Sequence, residues 1–320
     1  MDRQGSLTAL RRAVFDFERA HGIGPDPWCV ALSGGADSLA LTAVAARLRP
    51  TTALIVDHGL QPGSAAVAAD ARDRALGFGC VDARVIAVTV GSAGGPEAAA
   101  RTARYAALDE ARGDAVVLLA HTLDDQAETV LLGLGRGSGA RSLAGMLPYR
   151  PPWGRPLLGV RRAATRAACA ELGVSPWQDP HNSDPRFTRA RLRAEVLPLL
   201  EDVLGGGVAE ALVRTAAALR EDTDTLDEQA GLQRADIAED GTLETARLTG
   251  LPASIRRRVI RGWLLEGGAT GLTDKQIRGI DVLITDWRGQ GGVAVGSRLR
   301  GRRLFAARRA GRLVLHDEPV

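Results

Sequence analysis

The chain has 320 residues, of which 45% are hydrophobic and 25% charged, and its formal net charge is +3. This length and composition allow a sizeable core and predict one large and one small domain. No apolar run approaches a membrane span and the first residues contain no apolar signal core, so we expect a cytoplasmic protein without a membrane partner. The three cysteines are far apart and form no C-x-x-C pair, which argues against a disulfide framework, a thiolate zinc site and a cysteine-bound iron–sulfur cluster.

The first part of the chain alternates predicted strands with predicted helices. A first helix is expected to begin with Ser6 as its cap and to end at His21. Strands are then predicted at residues 28–32, 52–56, 84–90 and 115–120, and helices at 37–48, 62–77 and 97–112. This alternation predicts an α/β fold with a doubly wound parallel sheet and right-handed crossovers, in which the fully apolar fourth strand is central. Ligands of such sheets bind beyond the carboxyl ends of the strands.

The second part of the chain is predicted to be less regular at first and then mainly helical. The glycine-rich residues 133–139 are interpreted as a mobile loop near the site. Consecutive glycines at 205–207 indicate a domain boundary, which separates residues 1–204 from residues 205–320. Beyond it, helices are predicted at 210–229, 251–267 and 273–285, followed by a few strands over 293–315.

The stretch WCVALSGGADSLAL at residues 28–41 changes from a short apolar run into small residues and then into a helical pattern. Such a strand, tight turn and helix start is typical of a phosphate-binding loop, because glycines let the backbone approach a ligand and the helix N-terminus offers free N–H groups. An ordinary βα turn with a polar cap is the alternative. Asp37 suits this loop only if a divalent cation bridges it to the phosphates. Neither the Walker pattern nor G-x-G-x-x-G is present.

Acidic residues and a histidine directly follow the predicted fourth strand, in the sequence HTLDDQAET. If a helix starts near Leu123, Asp125 and Glu128 lie on one face of it, and His121 lies just before its first turn. Two carboxylates there are able to hold a substrate ammonium group, a Mg²⁺ ion, or both. A metal site built from His121, Asp125 and Glu128 is an alternative that the spacing allows, although no fourth ligand is apparent. Asp124 is interpreted as an ordinary acidic residue of a first helical turn.

Arginines cluster in separate parts of the chain. Arg101 and Arg104 are nearly one helical turn apart and are able to face one ligand, with a surface lattice of ion pairs as the alternative. Arg189 and Arg193 share a face of a predicted helix, which suits phosphate or RNA contacts, with a solvated basic helix as the alternative. From residue 288 to 312 there are eight arginines and no Asp or Glu, which predicts a phosphate-facing surface.

The loop at residues 33–38 resembles the pyrophosphate-binding loop SGGxDS of the ATP pyrophosphatases, which cleave ATP between its α and β phosphates to adenylate a substrate. Over about residues 28–200 the resemblance becomes closer. The order of motifs is similar to that of the bacterial tRNA(Ile)-lysidine synthetases: SGGADS, VDHGLQPGS, ARTARY, AHTLDDQAET, RGSGARSLAGM, RPLL and DPHNSDPRFTRARLR. The resemblance implies an adenine-nucleotide α-hydrolase-like fold. It also implies a ligase that adenylates C2 of the wobble cytidine of a CAU-anticodon tRNA(Ile) and lets the amine of free L-lysine displace AMP.

The family resemblance also implies roles for individual residues. The ATP-binding residues are implied to be Ser33, Gly34, Gly35, Ala36, Asp37 and Ser38. Asp37 is expected to hold Mg²⁺ and to act with Arg101 and His121 at the adenylation centre. Asp125 and Glu128 are expected to bind the ammonium groups of lysine. Expected tRNA-binding residues are Arg136, Arg189, Arg193, Arg300 and Arg303, with residues 1–204 as the catalytic domain and residues 205–320 as the tRNA-binding domain.

The chain departs from the family pattern in a few places. Ala190 stands where asparagine is common, and Ser142 stands where glycine is usual. The chain is also shorter than the long members, and we expect it to lack their extra C-terminal domain. The oligomeric state is open, with a homodimer as one alternative.

Other functions are alternatives to this one. A tRNA thiolase of the same superfamily usually carries C-x-x-C pairs, which are absent. A glutamine-dependent synthetase would need an amidotransferase domain or an ammonia source, and the sequence has no Cys–His nucleophile pattern. A non-catalytic RNA-binding module on the same fold would have no use for Asp37, Asp125 and Glu128.

Overall fold

The first strand, β1 (Trp28–Ala31), precedes the turn that contains Gly34 and Gly35 and is buried along its whole length. The structure is a computed structural model that describes residues 5–59, 61, 63–91, 95–137, 139–180, 184–297 and 301–319, without the side chains of residues 96 and 97. β1 pairs in parallel with β2 (Thr51–Asp57) on one side and with β4 (Val116–Leu118) on the other. The fourth strand is therefore central, as predicted.

The remaining strands extend this first sheet on both sides. β3 (Asp82–Ala87) pairs in parallel with β2, and β6 (Trp153–Gly154) pairs in parallel with β4. β5 (Tyr149–Arg150) closes the edge as the antiparallel partner of β6. The strand order is β3-β2-β1-β4-β6-β5.

Helices cover both faces of this sheet, because the side chains of β1 alternate between two apolar clusters. Trp28 and Val30 pack with residues of α1, α2, α3 and α7, whereas Cys29 packs on the other face with Leu108 of α4. The fold is a doubly wound sheet, as predicted. Along residues 6–203 the helices are α1 (Ser6–His21), α2 (Ala36–Leu48), α3 (Ser64–Gly77), α4 (Pro96–Ala111), α5 (Leu123–Gly135), α6 (Ala140–Leu143), α7 (Arg162–Glu171), α8 (Thr188–Arg191) and α9 (Leu197–Val203).

A close contact between α1 and the sheet requires glycine at one position of β6. A Cβ atom on Gly154 would lie 2.7 Å from Cζ of Phe17 and 3.0 Å from Cδ2 of Leu118. Both neighbours are buried core side chains, so a larger residue there would force the helix away from the sheet.

Two local expectations were wrong. Ser6 is not the cap of α1; the helix begins at Ser6, and the carboxylate of Glu171 accepts the free N–H groups of Ser6 and Leu7 at 2.6 and 3.3 Å. The loop predicted at residues 133–139 starts later than expected, since α5 continues to Gly135. A helical glycine costs about 1 kcal/mol, which the packing of the apolar face of α5 outweighs. Ser138 lies outside the described residues.

The chain divides into two compact units, residues 1–136 with 145–216, and residues 137–144 with 217–320. The boundary lies within the long helix α10 (Val208–Ile237), after the glycine run rather than at it. The second unit has its own apolar cluster, centred on Leu243, Val259, Ile260 and Ile280. The catalytic and tRNA-binding roles predicted for residues 1–204 and 205–320 stay predictions.

Among the described residues of the second unit, three helices and an antiparallel sheet follow α10. The helices are α11 (Thr245–Thr249), α12 (Ala253–Glu266) and α13 (Asp274–Thr285). The sheet consists of β7 (Ala238–Glu239), β8 (Thr242–Glu244), β9 (Ala269–Thr270), β10 (Val293–Ser297), β11 (Arg302–Arg309) and β12 (Arg312–Pro319), in the order β7-β8-β12-β11-β10-β9. The tail therefore forms strands, as predicted. No helix of the described residues is both long and apolar enough to cross a membrane.

Candidate active site

The turn after β1 is held in a defined shape by its own side chains and by a distant loop. We call residues 33–38 the phosphate loop. The backbone N–H of Ser33 donates to Oγ of Ser38 at 3.2 Å, and Ser38 Oγ donates to the Gly35 carbonyl at 3.0 Å. Gly34 has φ +81°, a left-handed conformation that favours glycine. Its carbonyl accepts a hydrogen bond from the backbone N–H of Trp177 at 3.0 Å. The loop is therefore preformed at the N-terminus of α2, where N–H groups attract anions.

A cavity of about 220 Å³ lies beside the phosphate loop, at the carboxyl ends of β1 and β2. Its walls are mainly apolar, with a few polar groups from Ser33, Asp57, His58, Arg104 and Asp179. Burial lowers the pKa of His58, and the nearby guanidinium of Arg104 lowers it further. Apolar walls with a few convergent polar groups are typical of a small-molecule site.

Asp37, in the first turn of α2, faces α7. Its Oδ1 accepts a hydrogen bond from the Thr165 hydroxyl, and its Oδ2 lies 3.6 Å from Nε of Arg162. Burial raises the pKa of Asp37, although the Thr165 hydrogen bond and the Arg162 charge act in the opposite direction. The protein therefore only partly compensates the negative charge of the Asp37 carboxylate. Such a carboxylate is able to bind a cation that enters together with a ligand.

The helix α5 begins at Leu123, so Asp125 and Glu128 lie on one face, as the sequence predicted. Asp125 forms a capping box with Thr122, whose backbone N–H and hydroxyl both donate to Oδ2 of Asp125 at 2.8 Å. Glu128 is fully buried. Burial is the largest influence on the pKa of Asp125 and raises it, but the Arg162 charge and the Thr122 hydrogen bonds outweigh it and leave the pKa below its usual value.

Arg162 joins these carboxylates to the phosphate loop. Its Nη2 donates to Oδ1 of Asp125 at 2.6 Å, its Nη1 donates to Oε1 of Glu128 at 3.3 Å, and its Nε faces Asp37. The sequence reasoning missed this residue. A signal was present, because an arginine in the first turn of a helix opposes the helix dipole and therefore needs a compensating partner.

His121 lies just before α5 with its ring in a buried position. Burial, with smaller contributions from the guanidinium groups of Arg155, Arg104 and Arg101, lowers the pKa of His121 to about 3 against an opposing effect of Asp125. The ring is therefore neutral at physiological pH and offers one donor and one acceptor rather than a charge. In the described part of the chain its buried Nδ1 has no hydrogen-bond partner, which leaves this atom for a ligand.

The predicted arginines lie in different surroundings. Arg101 is exposed and lies over the ring of Tyr105, with 4.9 Å from its Cζ to the ring centroid. Arg104 lines the cavity, and burial lowers its pKa. Arg189 donates from Nη2 to the Thr129 hydroxyl at 3.5 Å.

The remaining arginines were all predicted to bind tRNA. Arg193 pairs with Glu128, its Nε lying 2.9 Å from Oε1. Arg136 caps the end of α5, and Arg303 is exposed on β11. Arg300 lies outside the described residues. All of these tRNA contacts stay predictions.

The two departures from the family pattern lie in helices. Ala190 is buried in α8, so its methyl group belongs to the packed interior. Ser142 is exposed in α6.

The alternative metal site at His121, Asp125 and Glu128 does not fit. No group of three His, Cys, Asp or Glu side chains within the described ranges is arranged to hold a metal ion. Arg162 and Arg193 already neutralise Asp125 and Glu128. The cysteines Cys29, Cys80 and Cys169 are buried and free, as expected for structural thiols.

Comparisons with known proteins agree with this geometry. A family model described as a PP-loop domain matches residues 11–200, and one described as the TilS substrate binding domain matches residues 243–314. The tRNA(Ile)-lysidine synthase of Mycobacterium tuberculosis H37Rv is 70% identical over the full length of both chains. That of Mycobacterium leprae is 66% identical, also over both full lengths, and that of Rhodococcus erythropolis is 60% identical over 98% of this chain and 96% of the relative.

A solved structure shares the fold of the first part of the chain. The U34-tRNA thiolase NcsA from Methanococcus maripaludis aligns with a TM-score of 0.54 at 18% identity, covering 68% of this chain and 80% of the thiolase. The predicted fold class, a doubly wound parallel sheet with a smaller C-terminal domain that ends in a few strands, is confirmed. The structure adds that the strands of the smaller domain are antiparallel. The full-length identity to curated relatives, together with both matching domain models, shows that the chain belongs to the tRNA(Ile)-lysidine synthase family.

Proposed function

We propose that this chain joins free lysine to C2 of the wobble cytidine of a CAU-anticodon tRNA(Ile), using ATP and releasing AMP and pyrophosphate. The observation that carries the proposal is the position of Arg162, which contacts Asp37 of the phosphate loop and the Asp125–Glu128 pair at the same time. A nucleotide held by the loop and an amine held by the pair would then meet within one small region, which is what a two-step transfer between them requires.

ATP is proposed to occupy the phosphate loop and the adjoining cavity. The N–H groups at the start of α2 suit its phosphates, and the apolar walls formed by β1 and β2 suit a nucleoside. Asp37 is a fitting ligand for Mg²⁺, since it lies within the phosphate loop in the first turn of α2 and Mg²⁺ is commonly held by one carboxylate together with substrate phosphates. When bound there, Mg²⁺ would neutralise charge on the phosphates.

The first chemical step forms a bond between O2 of the cytosine and the α-phosphorus of ATP, while the bond to pyrophosphate breaks. A cytosine carbonyl is a weak nucleophile, so positioning and charge neutralisation matter more than a protein nucleophile. Arg101 supplies positive charge, and the neutral ring of His121 supplies a hydrogen bond from the N–H that its tautomer provides. No covalent enzyme intermediate is proposed.

The second step forms the C–N bond. Asp125 and Glu128 attract the ammonium groups of lysine. One amine, after its proton passes to solvent, attacks C2, and the bond between C2 and the adenylated oxygen breaks as AMP leaves. Because Arg162 and Arg193 already pair with these buried carboxylates, an ammonium group has to take the place of a guanidinium group there.

The tRNA is proposed to contact arginines of both units through phosphates and shape, as is usual for RNA. The candidates are Arg136, Arg189, Arg193, Arg300 and Arg303. A cytoplasmic location and a homodimer stay predictions.

The test is to incubate the protein with ATP, Mg²⁺, labelled lysine and a tRNA(Ile) transcript with a CAU anticodon. We expect stoichiometric incorporation of lysine and release of one AMP per lysine. An initiator methionine tRNA, which has the same anticodon, is the control and should accept no lysine. Release of AMP without transfer of lysine would contradict the proposed second substrate, and absence of any ATP turnover would favour a binding module.

A further inference from the structure

Every carboxylate oxygen of the proposed lysine-binding pair already accepts a hydrogen bond. Oδ2 of Asp125 is bonded to Thr122, and its Oδ1 accepts from Arg162 at 2.6 Å and from Arg193 at 3.5 Å. Oε1 of Glu128 accepts from both arginines, and Oε2 accepts from Nη2 of Arg193 at 3.2 Å. Because Glu128 has no exposed surface, an ammonium group reaches it only by replacing a guanidinium group.

Arg162 is the fixed partner of the two. Its backbone N–H donates to Oδ2 of Asp124 at 2.7 Å, which anchors the start of α7. Its side chain is 11% exposed and touches three carboxylates, those of Asp37, Asp125 and Glu128. Removing it from the cluster would leave several buried charges uncompensated, at a high cost in free energy.

Arg193 is the exchangeable partner. Its side chain is 31% exposed, and its hydrogen bonds within the described residues go to Asp125 and Glu128. Arg193 therefore has access to solvent. If its side chain turned outward, Asp125 and Glu128 would still be paired with Arg162. A long arginine side chain also has the rotational freedom to turn outward.

The backbone at Arg193 is unusual as well. Residues Leu192–Val196 form a π-helical segment between α8 and α9. Single π-helical turns are rare and occur frequently at functional sites. The segment places Arg193 over the carboxylates, next to a helix start that contains Pro198.

We propose that the guanidinium group of Arg193 occupies the ammonium position of the lysine site in the substrate-free protein, and that lysine binds by exchanging places with it. This inference rests on the proposed function, in which Asp125 and Glu128 bind lysine. The exchange keeps the buried pair neutralised in both states, so that the protein never exposes an unpaired Glu128. It also makes Arg193 a determinant of amine specificity, because only a cation that compensates both carboxylates displaces it.

The test measures the binding of labelled lysine to the tRNA-free protein by equilibrium dialysis. Arg193→Gln removes the internal competitor, so lysine affinity is expected to rise about tenfold. Arg193→Lys keeps a cation without the planar fork and should lie between the wild type and Arg193→Gln. The matched control is Arg191→Gln, because Arg191 pairs with the exposed Glu195 at 2.9 Å; its lysine affinity should equal that of the wild type.

A second measurement uses guanidinium chloride at low concentration. In Arg193→Gln the free guanidinium ion is expected to refill the vacated position and to weaken lysine binding back toward the wild-type value, whereas the same concentration should hardly affect the wild type. A purely structural role of Arg193 would produce no such competition.

The outcomes separate this inference from the proposed function. Glu128→Gln and Asp125→Asn should each abolish lysine binding while thermal unfolding stays cooperative; retained binding in both would overturn the proposed lysine site. If these variants lose binding but Arg193→Gln leaves the affinity unchanged or lowers it, the site stands and the exchange is wrong.

Discussion

Nη2 of Arg162 lies 2.6 Å from Oδ1 of Asp125, and this contact links the start of α7 to the start of α5. Both residues lie in the first turn of their helices. Asp125 is favourably placed there and Arg162 is not, because the N-terminal end of a helix carries partial positive charge. The pair therefore stabilises an arginine that local structure alone would disfavour.

Replacing Arg162 with glutamine is expected to destabilise the protein and to abolish transfer of lysine. The buried carboxylate of Glu128 would keep only Arg193, and breaking a buried ion pair costs about 3 kcal/mol or more. The measurement is urea unfolding together with the lysine-transfer assay. Arg166→Gln is the control, since Arg166 is exposed on the same helix, and its stability should change by less than about 0.5 kcal/mol. Equal stability of the two variants would contradict the role given to Arg162.

Replacing Asp37 with asparagine is expected to lower the rate of pyrophosphate release by about a hundredfold or more. The amide keeps a hydrogen bond with Thr165 but loses the charge that suits Mg²⁺. Because burial raises the pKa of Asp37, its ionised form is unfavourable in the fold, and the variant should have an unchanged or higher Tm. Asp70→Asn on α3, which removes an exposed partner of Arg74, is the control and should keep full activity. Wild-type turnover in Asp37→Asn would rule out the proposed mechanism.

The ring of His121 is expected to stay neutral well below the ordinary histidine pKa of about 6.5. The folded pKa lies near 3, so between these values the unfolded chain binds a proton that the folded protein does not. The contribution of His121 to stability is therefore complete above about pH 6.5 and decreases as the pH falls toward the folded value.

Nitrogen NMR of labelled histidine measures this titration directly. The His121 signal, assigned from its loss in His121→Asn, should remain that of a neutral ring at pH 5. The same protein in urea provides the control, where every histidine should titrate near its ordinary value. A His121 midpoint near pH 6.5 in the folded protein would contradict the burial effect.

Asp281→Asn is expected to destabilise the second unit by about 3–5 kcal/mol, because it leaves a buried guanidinium without its counter-charge. Asp281 is 4% exposed and accepts from Nε of Arg256 at 2.5 Å and from Nε of Arg257 at 2.8 Å. Asp286→Asn is the matched control, since its partner Arg288 is 79% exposed, and should change the stability by less than about 1 kcal/mol. The measurement is the thermal unfolding of both variants and of the wild type, which gives the loss of stability caused by each substitution.

The ion pairs of Asp281 with Arg256 and Arg257 also predict that the stability of the second unit depends on pH. Burial raises the pKa of Asp281, but the hydrogen bonds from Arg256 and Arg257 outweigh this effect, and the pKa in the folded protein is lowered. Its contribution to stability is therefore present above the unfolded pKa of about 3.9 and is lost as the pH falls below that value. The acid-induced loss of stability below pH 4 should be smaller in Asp281→Asn than in the wild type.

Arg303→Gln is expected to weaken tRNA binding and to reduce the slope of log K against log salt by about 1, because one phosphate contact is lost. Arg303 is exposed on β11. Its neighbour Arg302 pairs with Asp317, so Arg302→Gln should change the slope less. Filter binding over a range of salt concentrations measures both. Equal slopes for wild type and Arg303→Gln would remove Arg303 from the tRNA interface.

The sequence alone was sufficient to predict the fold class and the chemistry. Alternation of apolar strands and helices follows from local periodicity, and so does the helix start at Leu123 that brings Asp125 and Glu128 onto one face. The motif SGGADS and the order of the later motifs were enough to identify the family, because they are short local patterns.

Tertiary structure determined what these residues contact. Arg162 is 37 positions from Asp125 in the sequence, and Glu171 is 165 positions from Ser6, whose N–H group it caps. Such pairings leave no periodic signal, since they depend on how α1, α5 and α7 pack around the sheet. The pairing of Arg193 with Glu128 is of the same kind. The RNA contact predicted for Arg193 stays a prediction, and its pairing with a buried carboxylate follows from the low dielectric of the interior, which strengthens the attraction between opposite charges.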